Sequence, residues 1–505
     1  MPRRICWRSE RGERAGRGTE VEERLSRDEP GVRAAAPRVR GAEDQEGGTM
    51  SGRRLIATAL LLSLSTLAWA EPQVVPPPLS FRVTTLKNGL RVITHEDHSA
   101  PVINLQVWYH VGSKDERPGR TGFAHLFEHL MFKGSKNVGP EEHAELIKSI
   151  GGVDNAYTSE DVTVYWQTFP SHYLEMVLWL EADRMASLAI TEEHFRSERE
   201  VVKEERRLRI ENPPYGRVLE VLYANAFDVH PYKHIVIGSM DDLNAATVED
   251  VREFFETYYV PNNATLVIVG DFDTRQALAW VEKYFGNIPR GKRPIPRVTV
   301  KEPPKTRERR LTERMNVPLP AFVAGYYMPE DGHPDAPPLK VISRLLSVGQ
   351  SSRLYRKLVY ELRIAAGVFG MGNFTEHPNL FFAGAILNPG HTPEEAEKAI
   401  VEELERLKTE PVPARELEKA KNQMIAEILF ARQSNQGKAD ALGRAAVLLK
   451  DPARVNVEVQ RLLAVTPEEI QRVARRYFTE TNRIVLTILP QQAEGRRDAS
   501  SAKGG

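Results

Sequence analysis

The feature that most constrains the fold is an internal repeat. The segment "TVEDVREFFETYYVPNNATLVIVGD" starts at Thr247, and "TPEEIQRVARRYFTETNRIVLTILP" starts at Thr466. Aligned without gaps, Thr247 meets Thr466, Glu249 meets Glu468, Tyr258 meets Tyr477, Tyr259 meets Phe478 and Asn263 meets Asn482. Each copy reads as an amphipathic helix followed by a buried strand. The expected fold class is therefore α+β: two homologous domains of about 200 residues each, within the usual domain range, each an antiparallel sheet with helices. Between them, Pro289 to Arg310 is rich in Pro and basic residues, as an exposed linker would be. The expected boundaries are 80–288 for the first domain, 289–310 for the linker and 311–490 for the second domain. The polar tail, 491–505, reads as disordered.

Local signals fill in the first domain. "FRVTTLKNGLRVITHED" reads as a hairpin turning at Lys87-Asn88-Gly89, with Asn-Gly as the turn signal. Val102 to Val111 and Asp161 to Phe169 read as strands. "TGFAHLFEHLMF", bracketed by Gly122 and Gly134, has helical spacing. So do "HYLEMVLWLEADRMAS" and the charged run from Thr191 into Pro213-Pro214.

The N-terminus stands apart. Residues 1–49 are rich in Arg, Glu and Gly and contain no Lys, a composition that cannot bury enough apolar surface to fold. Met50 then opens a secretory signal peptide, 50–70: Arg53 and Arg54 are its positive region, Leu55 to Leu67 its apolar region, and Ala68-Trp69-Ala70 its cleavage site. Met50 is the expected initiator, with 1–49 as upstream sequence, and cleavage after Ala70 implies export, most simply to a bacterial periplasm. The single cysteine, Cys6, excludes an internal disulfide and any Cys-based metal site. A formal net charge of zero, without a basic stripe, gives no nucleic-acid surface.

The stretch "AHLFEHLMF" carries the chemistry. Residues three and four apart share a helix face, so His125 and His129 can offer two imidazoles to one ion, with Glu128 beside it. Imidazole suits zinc, and a catalytic zinc takes three protein ligands plus water. Glu128 is the expected general base for that water, whose pKa zinc lowers to about 7. The helix from Thr191 offers the third ligand. Glu198 and Glu205 are two turns apart on one face, so either could ligate while the other braces the site. Glu204 points roughly 100° away. Of the other histidines, His95, His98, His110, His143, His172, His194, His230 and His234 lack such spacing and read as surface or loop residues, with His110, at a strand end, as a core histidine.

The surrounding sequence carries a resemblance. "GRTGFAHLFEHLMFKGS", "GGVDNAYTSEDVTVYWQTFP", "LEADRM", "SEREVVKEERR" with "NPPYG", "HPYKHIVIGSMDDL" and "YYVPNNATLVIVGDFD", in this order, resemble the pitrilysin/insulinase family of metallopeptidases, whose HxxEH is the inverzincin signature. The resemblance runs from about Phe81 to Pro490 and is strongest to the short branch, which includes mitochondrial processing peptidase and bacterial relatives. It implies one Zn2+ per chain held by His125, His129 and Glu205, with Glu128 as base and Glu198 in support. It also implies that the strand bearing Asn155 and Ala156 pairs with substrate backbone. The implied fold is half of a clamshell, and the implied activity is hydrolysis of peptides or unfolded segments inside a closed chamber.

One departure bears on partners. Complete enzymes of the family carry an Arg and a Tyr late in the chain that help hold the substrate carbonyl. Here "LVYELRIAAGVFGMG" keeps Arg363 but has Phe369 where a Tyr is sought, and Phe cannot donate a hydrogen bond. This pattern resembles the zinc-bearing subunit of a heteromer. The expected partner is a homologous chain lacking HxxEH but supplying the Arg/Tyr pair, with a homodimer as the alternative. Two other readings compete: an assembly subunit with little catalysis, and a peptide-binding chain that acts only when paired.

Overall fold

The computed structural model describes residues 75–491. The expected signal peptide, the segment before it and the tail beyond Gln491 lie outside the described residues. Among those described, no helix is long and apolar enough to cross a membrane.

Two sheets organise the chain. The first contains β1 (Arg82–Thr85), β2 (Arg91–Glu96), β3 (Val102–Tyr109), β4 (Val153–Thr158), β5 (Thr163–Pro170) and β6 (Ala264–Gly270), in the order β1-β2-β6-β3-β5-β4. The second contains β7 (Arg309–Met315), β8 (Ala321–Met328), β9 (Ala365–Gly372), β10 (Asn379–Leu387) and β11 (Arg483–Pro490), in the order β7-β11-β8-β10-β9. Without β1, the two orders superpose: β2 matches β7, β6 matches β11, β3 matches β8, β5 matches β10 and β4 matches β9. The sheets are antiparallel with one refinement, made twice. The last strand of each pairs in parallel with the first of the five shared strands, β6 with β2 and β11 with β7. A parallel neighbour requires a long crossover, and the intervening helices supply it.

The helices repeat too. In the first domain α1 (Phe123–Leu130) and α2 (Glu142–Ser149) join β3 to β4. Then α3 (Leu174–Ser187), α4 (Glu192–Arg206), α5 (Val218–Ala226), α6 (Met240–Ala245) and α7 (Val248–Tyr258) join β5 to β6, and α8 (Thr274–Phe285) follows. In the second, α9 (Ala336–Ser347) joins β8 to β9. There α10 (Pro393–Thr409), α11 (Ala414–Ala431), α12 (Asn435–Val447), α13 (Arg454–Leu463) and α14 (Pro467–Tyr477) join β10 to β11.

The aligned repeat residues do the same work in both copies. Thr247 and Asp250 close a capping box on α7, as Thr466 and Glu469 do on α14. The Asn263 amide donates to the Tyr258 carbonyl at 2.8 Å, and the Asn482 amide to that of Tyr477 at 2.8 Å. Each Asn thus satisfies an orphan carbonyl at its helix end and aims the chain into the last strand.

The two domains exchange a helix. In each run of five, the third helix leaves its own sheet and covers the other's outer face. Val218, Leu222 and Ala226 of α5 pack on Val323, Leu380, Phe382 and Ile484 of the second sheet. Ala439, Leu442 and Ala446 of α12 pack on Ile93, Trp108, Val164 and Val267 of the first. Strands covered on both sides read as near-continuous apolar runs, which accounts for "VINLQVWY" and "ATLVIVG".

The predicted hairpin forms, with Thr85 opposite Arg91 and Gly89 at φ +93°, a conformation that favours glycine. The Pro-rich stretch between the sheets is mostly exposed but pinned. Arg297 donates to the His110 carbonyl at 2.8 Å, and Glu302 accepts the backbone N–H groups of Asp228, Val229 and His230. Two of the histidines read as surface or loop residues are buried. His143 lies buried in α2, 3.6 Å from Glu181, and His230 is buried beside Tyr232 and His377. Glu181 and His377 come from distant elements, and local spacing carries no trace of them. His110 follows β3, half-buried, and bonds the Glu376 carboxylate at 2.7 Å.

Candidate metal centre

Helix α1 starts at Gly122, at φ +88°, whose lack of a side chain leaves the first turn without a cap of its own. The buried Glu116 carboxylate substitutes, accepting the N–H groups of Gly122 at 2.9 Å and Ala124 at 2.8 Å. A negative group there also meets the positive end of the helix dipole. Phe123, Ala124, Leu126, Phe127 and Leu130 bury one face in the first domain's core. The other face carries His125, Glu128 and His129.

Helix α4 faces it. Thr191 caps its N-terminus by accepting the His194 N–H at 3.1 Å. Phe195, Glu198, Val202 and Arg206 are buried, at the spacing of a single helix face. Beyond Arg206 the chain widens into a π-turn, Arg207–Glu211, a feature that recurs at functional sites.

Three donor atoms converge between these helices. Glu205 Oε2 lies 3.4 Å from His129 Nε2 and 3.7 Å from His125 Nε2, and one donor atom from each residue lies within 4.8 Å of the others. Those separations are long for hydrogen bonds. They match two ligands sharing a tetrahedral ion, whose bonds of about 2.0–2.1 Å put neighbouring ligands about 3.3 Å apart. The imidazoles stand nearly perpendicular, at 82°. His125 Nδ1 is buried without a hydrogen-bond partner. Two nitrogens and one carboxylate oxygen are a donor set that fits zinc.

Supporting groups surround the three. Glu198 Oε2 lies 3.3 Å from His129 Nδ1, the nitrogen turned away from Glu205, and its Oε1 lies 2.9 Å from Lys133 Nζ. Arg209 pairs with the second oxygen of Glu205. The Thr158 hydroxyl donates to Glu128 Oε2 at 2.6 Å. Glu204 is exposed and paired with Arg207. Lys133 and Arg209 each follow a site residue by four, a spacing visible in the sequence. Thr158 and Glu116 come from a strand end and a loop, and no periodicity marks them.

The electrostatics favour a cation. Burial and the neighbouring His129 hold His125 down at about 3. Burial would also lower His129, but the carboxylates of Glu198 and Glu205 outweigh it and raise it to about 9. Burial would raise Glu205, and the two imidazoles with Arg209 overcome it, to about 2. Burial pushes Glu128 upward. His129 therefore gathers positive charge because carboxylates face it, a demand that a divalent ion would meet.

Asn155 and Ala156 sit on β4, the last strand of its sheet among the described residues, with Asn155 Oδ1 accepting the Ala156 N–H at 2.8 Å. Arg363 is exposed at φ +57° in the turn before β9. Phe369, on β9, packs into the cluster that α5 makes with the second sheet.

Family models match both domains: "Insulinase (Peptidase family M16)" over residues 91–239 and "Peptidase M16 inactive domain" over 245–424. The zinc protease PqqE of Helicobacter pylori is 33% identical over 444 residues, covering 87% of this chain and 99% of the relative. The chain belongs to the insulinase (M16) peptidase family. A crystal structure of a Helicobacter pylori protease matches with a TM-score of 0.79 and 33% identity, covering 82% of this chain and 100% of the other. A probable mitochondrial-processing peptidase subunit beta of Arabidopsis thaliana is 25% identical, over 81% of this chain and 78% of the relative. The membership and the zinc-protease relatives indicate a peptidase, make zinc the implied metal, and identify the pair of α+β domains as half of the family's clamshell.

Proposed function

We propose that the chain is an exported zinc endopeptidase or oligopeptidase that cuts peptides or unfolded segments. His125 Nε2, His129 Nε2 and Glu205 Oε2 hold one zinc, Glu128 is the base, and Glu198 fixes the His129 ring by accepting from Nδ1. The observation that carries the reading is the convergence of those three donor atoms from two helices. Bound there, zinc would polarise the scissile carbonyl and lower the pKa of a water at its open position to about 7. Glu128 takes a proton from the attacking water as the oxygen bonds the carbonyl carbon. It returns that proton to the amine nitrogen as the C–N bond breaks, so the carboxylate ends as it began.

The peptide lies along β4, pairing with backbone near Asn155 and Ala156, because β4 ends its sheet among the described residues and its last residue touches Glu128. With Phe369 unable to donate a hydrogen bond, a homologous partner lacking HxxEH supplies the Arg/Tyr pair that holds the carbonyl, and the relative named as a subunit supports a paired enzyme. The division into domains of 80–288 and 311–490, joined at 289–310, draws support from the repeated topology, with β7 starting two residues before the second boundary, at Arg309, and export rests on the leader at 50–70. The test is cleavage of an unfolded peptide by the chain alone and with its co-produced partner, before and after chelation. Activity lost on chelation and restored by zinc supports the reading. Cleavage indifferent to chelation overturns it.

A further inference from the structure

We infer that Thr158 is a positioning residue for the base: its hydroxyl fixes one oxygen of Glu128 so that the other faces the reacting water. The inference rests on the proposed role of Glu128 and deepens it. Thr158 is the final residue of β4, and its Oγ1 lies 2.6 Å from Glu128 Oε2 and 3.5 Å from the Ala124 carbonyl oxygen. A hydroxyl has one proton to donate, and an ionised carboxylate only accepts. The short contact therefore takes the proton, and the Ala124 carbonyl is the weaker alternative.

A carboxyl group turns easily about its last bond, because that torsion is broad. Glu128 is held at Oε2, which leaves Oε1 to work. The water proton goes to Oε1 and leaves from Oε1 to the amine nitrogen, while the Thr158 contact at Oε2 persists throughout. The carboxylate thus stays in one orientation across both transfers, which is what positioning contributes to a rate.

The support for Thr158 is itself rigid. Ser159 N–H bonds the Val162 carbonyl at 2.9 Å and closes the β4–β5 turn. The next residue, Glu160, accepts from Asn373 at 2.9 Å. Asp161 accepts from the Tyr232 hydroxyl at 2.6 Å and the Glu376 N–H at 2.9 Å. Asn373 and Glu376 belong to the second domain, so both domains brace the turn that carries Thr158. The same strand is the one proposed to take the peptide, so one element aligns both substrate and base.

Thr158→Val removes the hydroxyl and keeps the shape, and Thr158→Ser keeps the hydroxyl. The measurements are kcat and KM on one peptide, zinc content by elemental analysis, and thermal midpoint, with Glu128→Gln alongside. Thr158→Val is expected to lose about 10- to 100-fold in kcat, with KM and zinc content at wild-type levels, and Thr158→Ser to recover most of that loss. Should Thr158→Val not accumulate folded, Thr158→Ala is measured for the same loss. A removed hydroxyl that leaves kcat within about threefold of wild type overturns the inference. So does an equal loss in Thr158→Ser, or a loss of zinc. If Glu128→Gln is inactive while Thr158→Val is not, only this inference falls; if Glu128→Gln stays active, the role of the base falls with it.

Discussion

Replacing Glu198 by Gln tests how the site holds its metal. Once His129 gives Nε2 to an ion, its proton sits on Nδ1, 3.3 Å from Glu198 Oε2. Gln keeps the shape and an accepting oxygen but removes the charge that makes the imidazole a better donor. It also leaves Lys133 with Glu141, 2.6 Å away, as its remaining carboxylate. Partners of this kind are worth about 10- to 100-fold in metal affinity, or roughly 1.4–2.7 kcal/mol. Glu204→Gln is the matched control. It changes the same charge on the same helix, at an exposed position paired with Arg207. Titration of metal-free protein with zinc against a chromophoric competitor reads both. Glu198→Gln should weaken binding by one to two orders of magnitude, and Glu204→Gln should match wild type. Equal affinities for the two variants would refute the argument from helix face.

Other outcomes follow from the same contacts. Glu128→Gln should lower kcat by about 10²- to 10⁴-fold, the usual effect of removing a general base, while zinc content stays at wild type. Its stability, read by thermal melting, should not fall, because a buried carboxyl is replaced by an amide that still accepts from Thr158. Gly443→Val should destabilise the protein by about 1–3 kcal/mol in denaturant titration, since a Cβ at Gly443 would come within 2.2 Å of the buried Trp108 ring and force α12 off the first sheet. Acid should weaken the fold through Glu181. Burial would raise its carboxyl, but Arg184 and His143 hold it down at about 2. A depressed native pKa stabilises above the unfolded value of about 4.3, and that stability is lost as pH falls toward 2, of order 3 kcal/mol. Stability flat over that window would contradict it.

Much of the fold was legible because the repeat is chemical as well as statistical. Thr247 with Thr466, and Asn263 with Asn482, are caps and carbonyl clamps, and such residues keep their types when the geometry repeats. The helix exchange was not legible. Apolar spacing in α5 and α12 announces burial, but periodicity does not say which sheet receives the face. The parallel pairing of β2 with β6 is likewise a long-range fact without a local mark. At the site, the spacing of His125 and His129 fixed a shared face. It left Glu198 and Glu205 equivalent, since two full turns return to the same side. The family resemblance pointed to Glu205, and the physical difference lies in three dimensions: Glu205 faces both Nε2 atoms, and Glu198 meets Nδ1 of one ring. The burial of His143 and His230 left no local mark because it comes in part from Glu181 and His377, which lie far away in sequence.

The central claim is that His125, His129 and Glu205 hold one zinc per chain, and zinc K-edge X-ray absorption of the purified protein tests it most directly. The account predicts one zinc per chain with a nitrogen and oxygen shell at about 2.0–2.1 Å. The outer-shell scattering should be that of two imidazoles, falling to one in His129→Ala. A chain that takes up no zinc, or whose spectrum shows other than two imidazoles, would contradict it.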